Sequence, residues 1–325
     1  MEVTLLIDTD VLIWRASSAV QRTFDFGGGV FAVGADFHRA RDKFDREVRE
    51  LVVKLKSTNR PILALSDAKR NWRKEVLPTY KSNRSHAKPK VFYQLREHAE
   101  ATYDTRWFPG LEGDDVLGLY ATGTTVPGRK IVVSIDKDMQ TVPGYLYNPN
   151  KPERGVRLIS ESEADEYHLM QTLTGDPVDG YSGCPGIGPK RAAQLLALSM
   201  TPEERWRMVV RSYASKGLDE KYALQQAQVA RILRRGEYDK ETYRVTLWTP
   251  PPPSTTSRIP ASAKSSTPAP AATPRKARAG RTSSRSSSSK GSRSTSRTAP
   301  ASTATTTGSA ASPSAGTTPP PSATS

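Results

Sequence analysis

Nine carboxylates recur in order along this chain: Asp8 and Asp67 after short apolar runs, Glu112, Asp114 and Asp115 in Leu-Glu-Gly-Asp-Asp, Asp136 and Asp138 in Asp-Lys-Asp, and Asp176 and Asp179 in Asp-Pro-Val-Asp-Gly. Each group taken singly has a bland explanation, as a helix start, a solvated turn or a Pro-Gly turn. Gathered in one fold, they would raise the cost of ionising one another. A divalent cation removes that cost and leaves positions open for water and a substrate phosphate.

The elements that must position them are legible in the hydrophobic pattern. Apolar runs at 3–7, 62–65 and 131–135 each end beside an acid (Asp8, Asp67, Asp136) and fit strands buried on both faces of a parallel sheet. Phe37, Phe44, Val48, Leu51, Val52 and Leu55 recur at helical spacing between the first two runs. Strand, helix, strand predicts an α/β fold with a right-handed crossover, so the acids should meet at the carboxyl edge of the sheet. Residues 112–121 read as a helix with Glu112 and Asp115 one turn apart.

Between Lys69 and Lys90 stand eight basic residues (Lys69, Arg70, Arg73, Lys74, Lys81, Arg84, Lys88, Lys90) against Glu75 alone, with Trp72 and Tyr80 interleaved. Cations tracking a backbone and aromatics stacking on bases are devices of single-strand channels. Gly183-Cys-Pro-Gly-Ile-Gly-Pro-Lys-Arg191 reads as a glycine hairpin opening a helix, where Gly183, Gly186 and Gly188 would let backbone N–H groups approach a phosphate beside Lys190 and Arg191.

The chain has 325 residues and a formal net charge of +15, which favours a polyanionic partner. Ten of the 48 basic residues and none of the 33 acidic ones lie in 250–325, a Ser/Thr/Pro/Ala-rich stretch expected to be disordered. Cys184 is the sole cysteine, which excludes an intrachain disulfide and a cysteine-based zinc site; the expectation for it is a small apolar filler. No apolar run suits a membrane helix, and a cytosolic setting is expected.

At these residues the chain resembles the 5′-nuclease superfamily of flap endonucleases, polymerase I 5′-nuclease domains and phage 5′→3′ exonucleases, most of all the T7-like phage enzymes, from about Thr4 to Trp248. The resemblance implies a PIN-like α/β fold with a helical arch and a helix-hairpin-helix: a catalytic domain over 1–165 including an arch at 68–90, a DNA-binding subdomain over 166–249, and the tail. It implies two Mg²⁺, with Mn²⁺ able to substitute, roughly 4 Å apart. One would be served by Asp8, Asp67, Glu112 and Asp114, the other by Asp115, Asp136, Asp138, Asp176 and Asp179. Lys81 and Arg84 would act at the scissile phosphate. Lys69, Arg70, Trp72, Arg73 and Tyr80 would contact DNA, Tyr80 by stacking, and the hairpin would grip duplex, with K⁺ on its carbonyls. Asp10 stands where many relatives carry Asn and could add a tenth carboxylate. Expected substrates are DNA with a 5′ end, flap or nick, or an RNA–DNA hybrid, with a phage polymerase or single-strand binding protein as partner. A flap endonuclease and a non-catalytic DNA-structure binder are the alternatives.

Overall fold

The computed structural model describes residues 2–84, 87–198 and 201–252, all within one compact unit; the basic tail and the expectation of its disorder lie outside them. In chain order the elements are β1 (Val3–Asp8), α1 (Thr9–Val20), β2 (Gln21–Asp25), β3 (Phe31–Ala35), α2 (Phe37–Lys54), β4 (Ile62–Ala64), α3 (Arg73–Val76), α4 (Phe92–Thr102), β5 (Asp104–Arg106), α5 (Gly113–Thr122) and β6 (Arg129–Val133). A 3₁₀ turn (Lys137–Thr141) precedes β7 (Gly144–Tyr147) and β8 (Val156–Ile159). Then come α6 (Glu161–Thr174), α7 (Pro189–Leu196), α8 (Pro202–Ala214), α9 (Glu220–Ala230), β9 (Tyr238–Asp239) and β10 (Arg244–Val245).

The central sheet runs β5-β4-β1-β6-β7-β8, parallel except for β8. Its inner strands carry the three apolar runs, and Leu5, Leu6, Ile7 and Leu63 are fully buried. One face packs on α1, α2 and α4 through Phe44, Val48, Leu51 and Leu95, the amphipathic face anticipated for residues 37–55. The other packs on α5 and residues 232–238 through Val116, Leu117, Ile232 and Leu233. Parallel order places Asp8 at the end of β1, Asp67 past β4 and Asp136 past β6, so the carboxyl edge gathers them as anticipated.

A third apolar cluster joins α6–α9, with Leu173, Ala192, Val209, Tyr213 and Ala227 at its centre and Cys184 buried as a filler. Residues 68–90, the expected arch, hold only the four-residue α3 and turns that fold back on the site, with 85 and 86 outside the described residues.

Gly118 of α5 lies against the 229–233 segment so closely that a Cβ there would collide with the Leu233 carbonyl and approach Ile232 Cγ2 to 2.9 Å. Gly118→Ala should destabilise the chain by about 2–3 kcal/mol through overpacking, read as a lower urea midpoint at an unchanged m-value.

Candidate active site

Three strand ends, those of β1, β4 and β6, and the start of α5 enclose a cleft of about 320 Å³ lined by Asp8, Asp10, Asp67, Glu112, Asp114 and Asp136, with Lys81 and Arg84 at its rim. Asp8 is fixed by Ser134 Oγ (2.8 Å), which also accepts the Asp136 N–H (3.0 Å). Asp10 accepts the Ser66 N–H at 2.8 Å, and Ser66 Oγ accepts the Gly113 N–H at 2.9 Å. Two serines that sequence reasoning passed over thus set the acids' positions; a lone serine after a strand offers no signal of that role. Asp67 turns its oxygens to the backbone, accepting from Lys69 N and Gly110 N at 2.8 Å each.

The acids divide by how they are neutralised. Burial pushes the Asp8 carboxyl up to about 7, helped by Asp10 and Asp136. Burial, with Asp8 and Asp136, raises Asp114 well above the carboxylate range. Burial also lifts Asp138 to about 7, and Asp136, Asp176 and Asp179 add to the rise; Gln171 donates to it at 2.5 Å. Glu112 goes the other way: burial opposes its charge, but Lys81 and Arg73 hold it at about 2. Lys81 Nζ bonds Glu112 and lies 3.5 Å from Asp179, Arg84 bonds Asp179 at 2.5 Å, and Lys137 bonds Asp176 at 2.7 Å. Among the described residues no three acids converge to cage an ion unaided.

Several expected contact residues are placed elsewhere. Arg73 is buried, and its guanidinium spends every donor inside the protein: on Asp115 at 2.7 and 2.8 Å, Glu112 at 3.2 Å, Val229 O at 2.9 Å and Arg231 O at 2.6 Å. Asp115, fully buried, also accepts from Trp72 Nε1 (3.1 Å) and Leu233 N (3.2 Å), so its oxygens are consumed by structure and it faces away from the cleft. Trp72 is buried with it. Tyr80 is 3% exposed, its hydroxyl 2.9 Å from Glu112 and 3.0 Å from Asp179, which leaves no face for a base to stack on. Gly183 is buried against Gly175 and donates to Gln226 at 3.0 Å. The pairings 42 and 43 residues apart, Arg73 and Trp72 with Asp115, could not be read from one sequence.

Lys69, Arg70, Gly186, Gly188, Lys190 and Arg191 are exposed as anticipated. Gly186 has φ +76°, open to glycine without strain, and Gly188 caps α7 ahead of Pro189. The hairpin side of the molecule meets the cleft through Asp176, Asp179 and Lys137.

Residues 3–160 match the family described as 5′-3′ exonuclease, N-terminal resolvase-like domain. The chain is 32% identical to an exodeoxyribonuclease of Enterobacteria phage T3, covering 76% of this chain and 92% of the relative. It is 31% identical to an exonuclease of Escherichia phage T7, over 76% and 93%. The T5 5′-exonuclease solved with zinc shares the fold at a TM-score of 0.53 and 15% identity, over 71% of this chain and 89% of that one. The chain belongs to the 5′-3′ exonuclease family and is a nuclease.

Two outcomes test the site's electrostatics. Arg73→Ala should cost about 3–5 kcal/mol in chemical denaturation, because it strands the buried Asp115 charge. Asp8 holds its proton to higher pH when folded than the usual 3.8, so its share of stability, present at acid pH, is lost as pH rises towards about 7. Asp8→Asn should therefore raise the metal-free melting temperature at pH 7.5 and leave it nearly unchanged at pH 4.

Proposed function

We propose that the chain is a divalent-metal-dependent 5′→3′ exodeoxyribonuclease acting on duplex DNA. The observation that carries this reading is the cleft in which Asp8 and Asp114 face Asp136 and Asp10, with Lys81 and Arg84 at the rim. Carboxylates whose ionisation is suppressed by burial and by one another form a donor set that a hard cation would complete. A loose set suits Mg²⁺, which keeps several waters, and Mn²⁺ takes the same oxygen ligands.

Asp8, Asp114 and Asp136, with Asp10 beside them, would hold one ion. Asp138, Asp176 and Asp179 would serve the second position, and Asp115 is left out because its oxygens are taken. When bound, the cations supply the positive charge that lets water attack a phosphodiester near neutral pH.

The residues of the chain do the rest. Lys81 and Arg84 are held at the rim by Glu112 and Asp179, and on substrate entry their charges pass to the phosphate oxygens as negative charge grows there. Water adds to phosphorus, the P–O3′ bond breaks, and the products are a 3′-hydroxyl and a 5′-phosphate. The exposed hairpin at 186–191, with Lys190 and Arg191 at the start of α7, would hold the duplex 3′ of the cut.

The test is a sequencing-gel assay on 5′-labelled duplex and 5′-flap DNA with Mg²⁺ or EDTA. Release of mono- or dinucleotides from the duplex end only with Mg²⁺ is expected. Asp114→Ala should abolish it while binding persists, and Lys81→Ala should slow it by about 10²–10³. Cutting confined to the flap junction would assign an endonuclease, and normal turnover by the Asp114 variant would overturn the metal assignment.

A further inference from the structure

Of the β2–β3 hairpin only Ala35 packs against an apolar cluster. The hairpin nonetheless holds three of the chain's seven phenylalanines, and Phe24, Phe26 and Phe31 are 50%, 71% and 62% exposed. Two strands alone are marginal in water, and no other described strand joins either edge of the pair. Clustered apolar rings left open to solvent mark an interaction surface.

Between the hairpin and α2 lies a groove of about 680 Å³. Arg22 pairs with Gly34 and Phe24 follows two residues on, so all three turn to this face. The α2 wall carries Arg39, Lys43 and Arg46 at helical spacing, a basic stripe about 10 Å long. Two acids interrupt it, and both are engaged. Asp36 accepts the Arg39 N–H at 3.1 Å and pairs with its guanidinium at 3.4 Å, and Asp42 pairs with Arg41 at 2.9 Å. Lys43 is paired with Glu47 at 2.8 Å. Arg22 and Arg46 are exposed and form no ion pair among the described residues.

The groove shares no residue with the active-site cleft. Helix α1 starts at Thr9, next to Asp8, and ends at Val20 in the groove, a run of about 18 Å. The charge pattern selects the occupant. A phosphate backbone carries charge at every step and would meet Asp36 and Asp42 as well as the arginines. A peptide can set carboxylates against Arg22 and Arg46 alone, in charge-assisted pairs, and lay an apolar side chain on Phe24. Gly34 leaves room for it, since a Cβ there would already lie 3.1 Å from the Phe24 ring. We infer that the groove between the β2–β3 hairpin and α2 docks an acidic segment of a partner protein through Arg22, Arg46 and Phe24. The inference goes beyond the nuclease reading and does not depend on it.

The experiment measures by anisotropy the binding of the full chain to a labelled peptide in which two acidic pairs flank a phenylalanine. Arg22→Ala combined with Arg46→Ala should weaken it about tenfold, and Phe24→Ala about fivefold. Arg46→Ala alone, on the exposed face of α2, should weaken it about threefold without touching the hairpin. Lys221→Ala, which removes one charge from α9, should bind as the wild type does, and a probe with Asn and Gln in place of its acids should not bind. Equal binding by the wild type and the arginine variants, or an equal loss in Lys221→Ala, would overturn the inference. So would weakened binding of a labelled oligonucleotide with the peptide unaffected, which assigns the groove to DNA. A dimer in sedimentation that Phe24→Ala dissolves would overturn it too, assigning the groove to a second copy of the chain.

Discussion

The buried pair of Arg73 and Asp115 joins three parts of the chain that are remote in sequence. Arg73 belongs to the segment that folds back over the cleft, Asp115 to the first turn of α5, and the carbonyls of Val229 and Arg231 to the C-terminal end of α9. A guanidinium suits this place because its five donors form a planar fork that can satisfy a carboxylate and two carbonyls at once. Burial opposes the charge on Arg73, but Asp115 and Glu112 keep it protonated. Through this pair the rim residues Lys81 and Arg84 are tethered to the same helix that presents Glu112 and Asp114.

The cleft is consequently a balance between two kinds of neutralisation. On the side of Glu112, Asp176 and Asp179 the protein's own lysines and arginines supply the positive charge. On the side of Asp8 and Asp114 Lys81 offsets only part of the charge on Asp114, and burial plus mutual repulsion holds these carboxyls well above their usual range. That asymmetry sets these carboxyls apart from ordinary surface ion pairs, which screening would render weak.

The helical layer of α6–α9 has its own apolar core and is secured to the sheet domain by polar contacts at its border. Within the layer, burial, with Arg231 nearby, drives the His168 pKa down to about 3, so it remains neutral beside the Ala227 carbonyl and under the edge of Trp248. Gly175 and Gly183 pack backbone on backbone where the loop closes, and a side chain at either would force them apart.

The sequence by itself determined the parallel sheet, the amphipathic α2 and the gathering of Asp8, Asp67 and Asp136 at one edge, because apolar runs ending in acids encode both strand burial and strand direction. It also marked 183–191 as a turn opening a helix, through glycine and proline. What only the tertiary structure decided is which charges are spent internally. Arg73, Trp72, Tyr80 and Asp115 carry the same residue types as working site residues, and nothing local separates them from Lys81 or Asp114. Their fate depends on contacts across 32 to 158 residues, through which burial turns Arg73, Trp72 and Tyr80 from a binding face into a buried support.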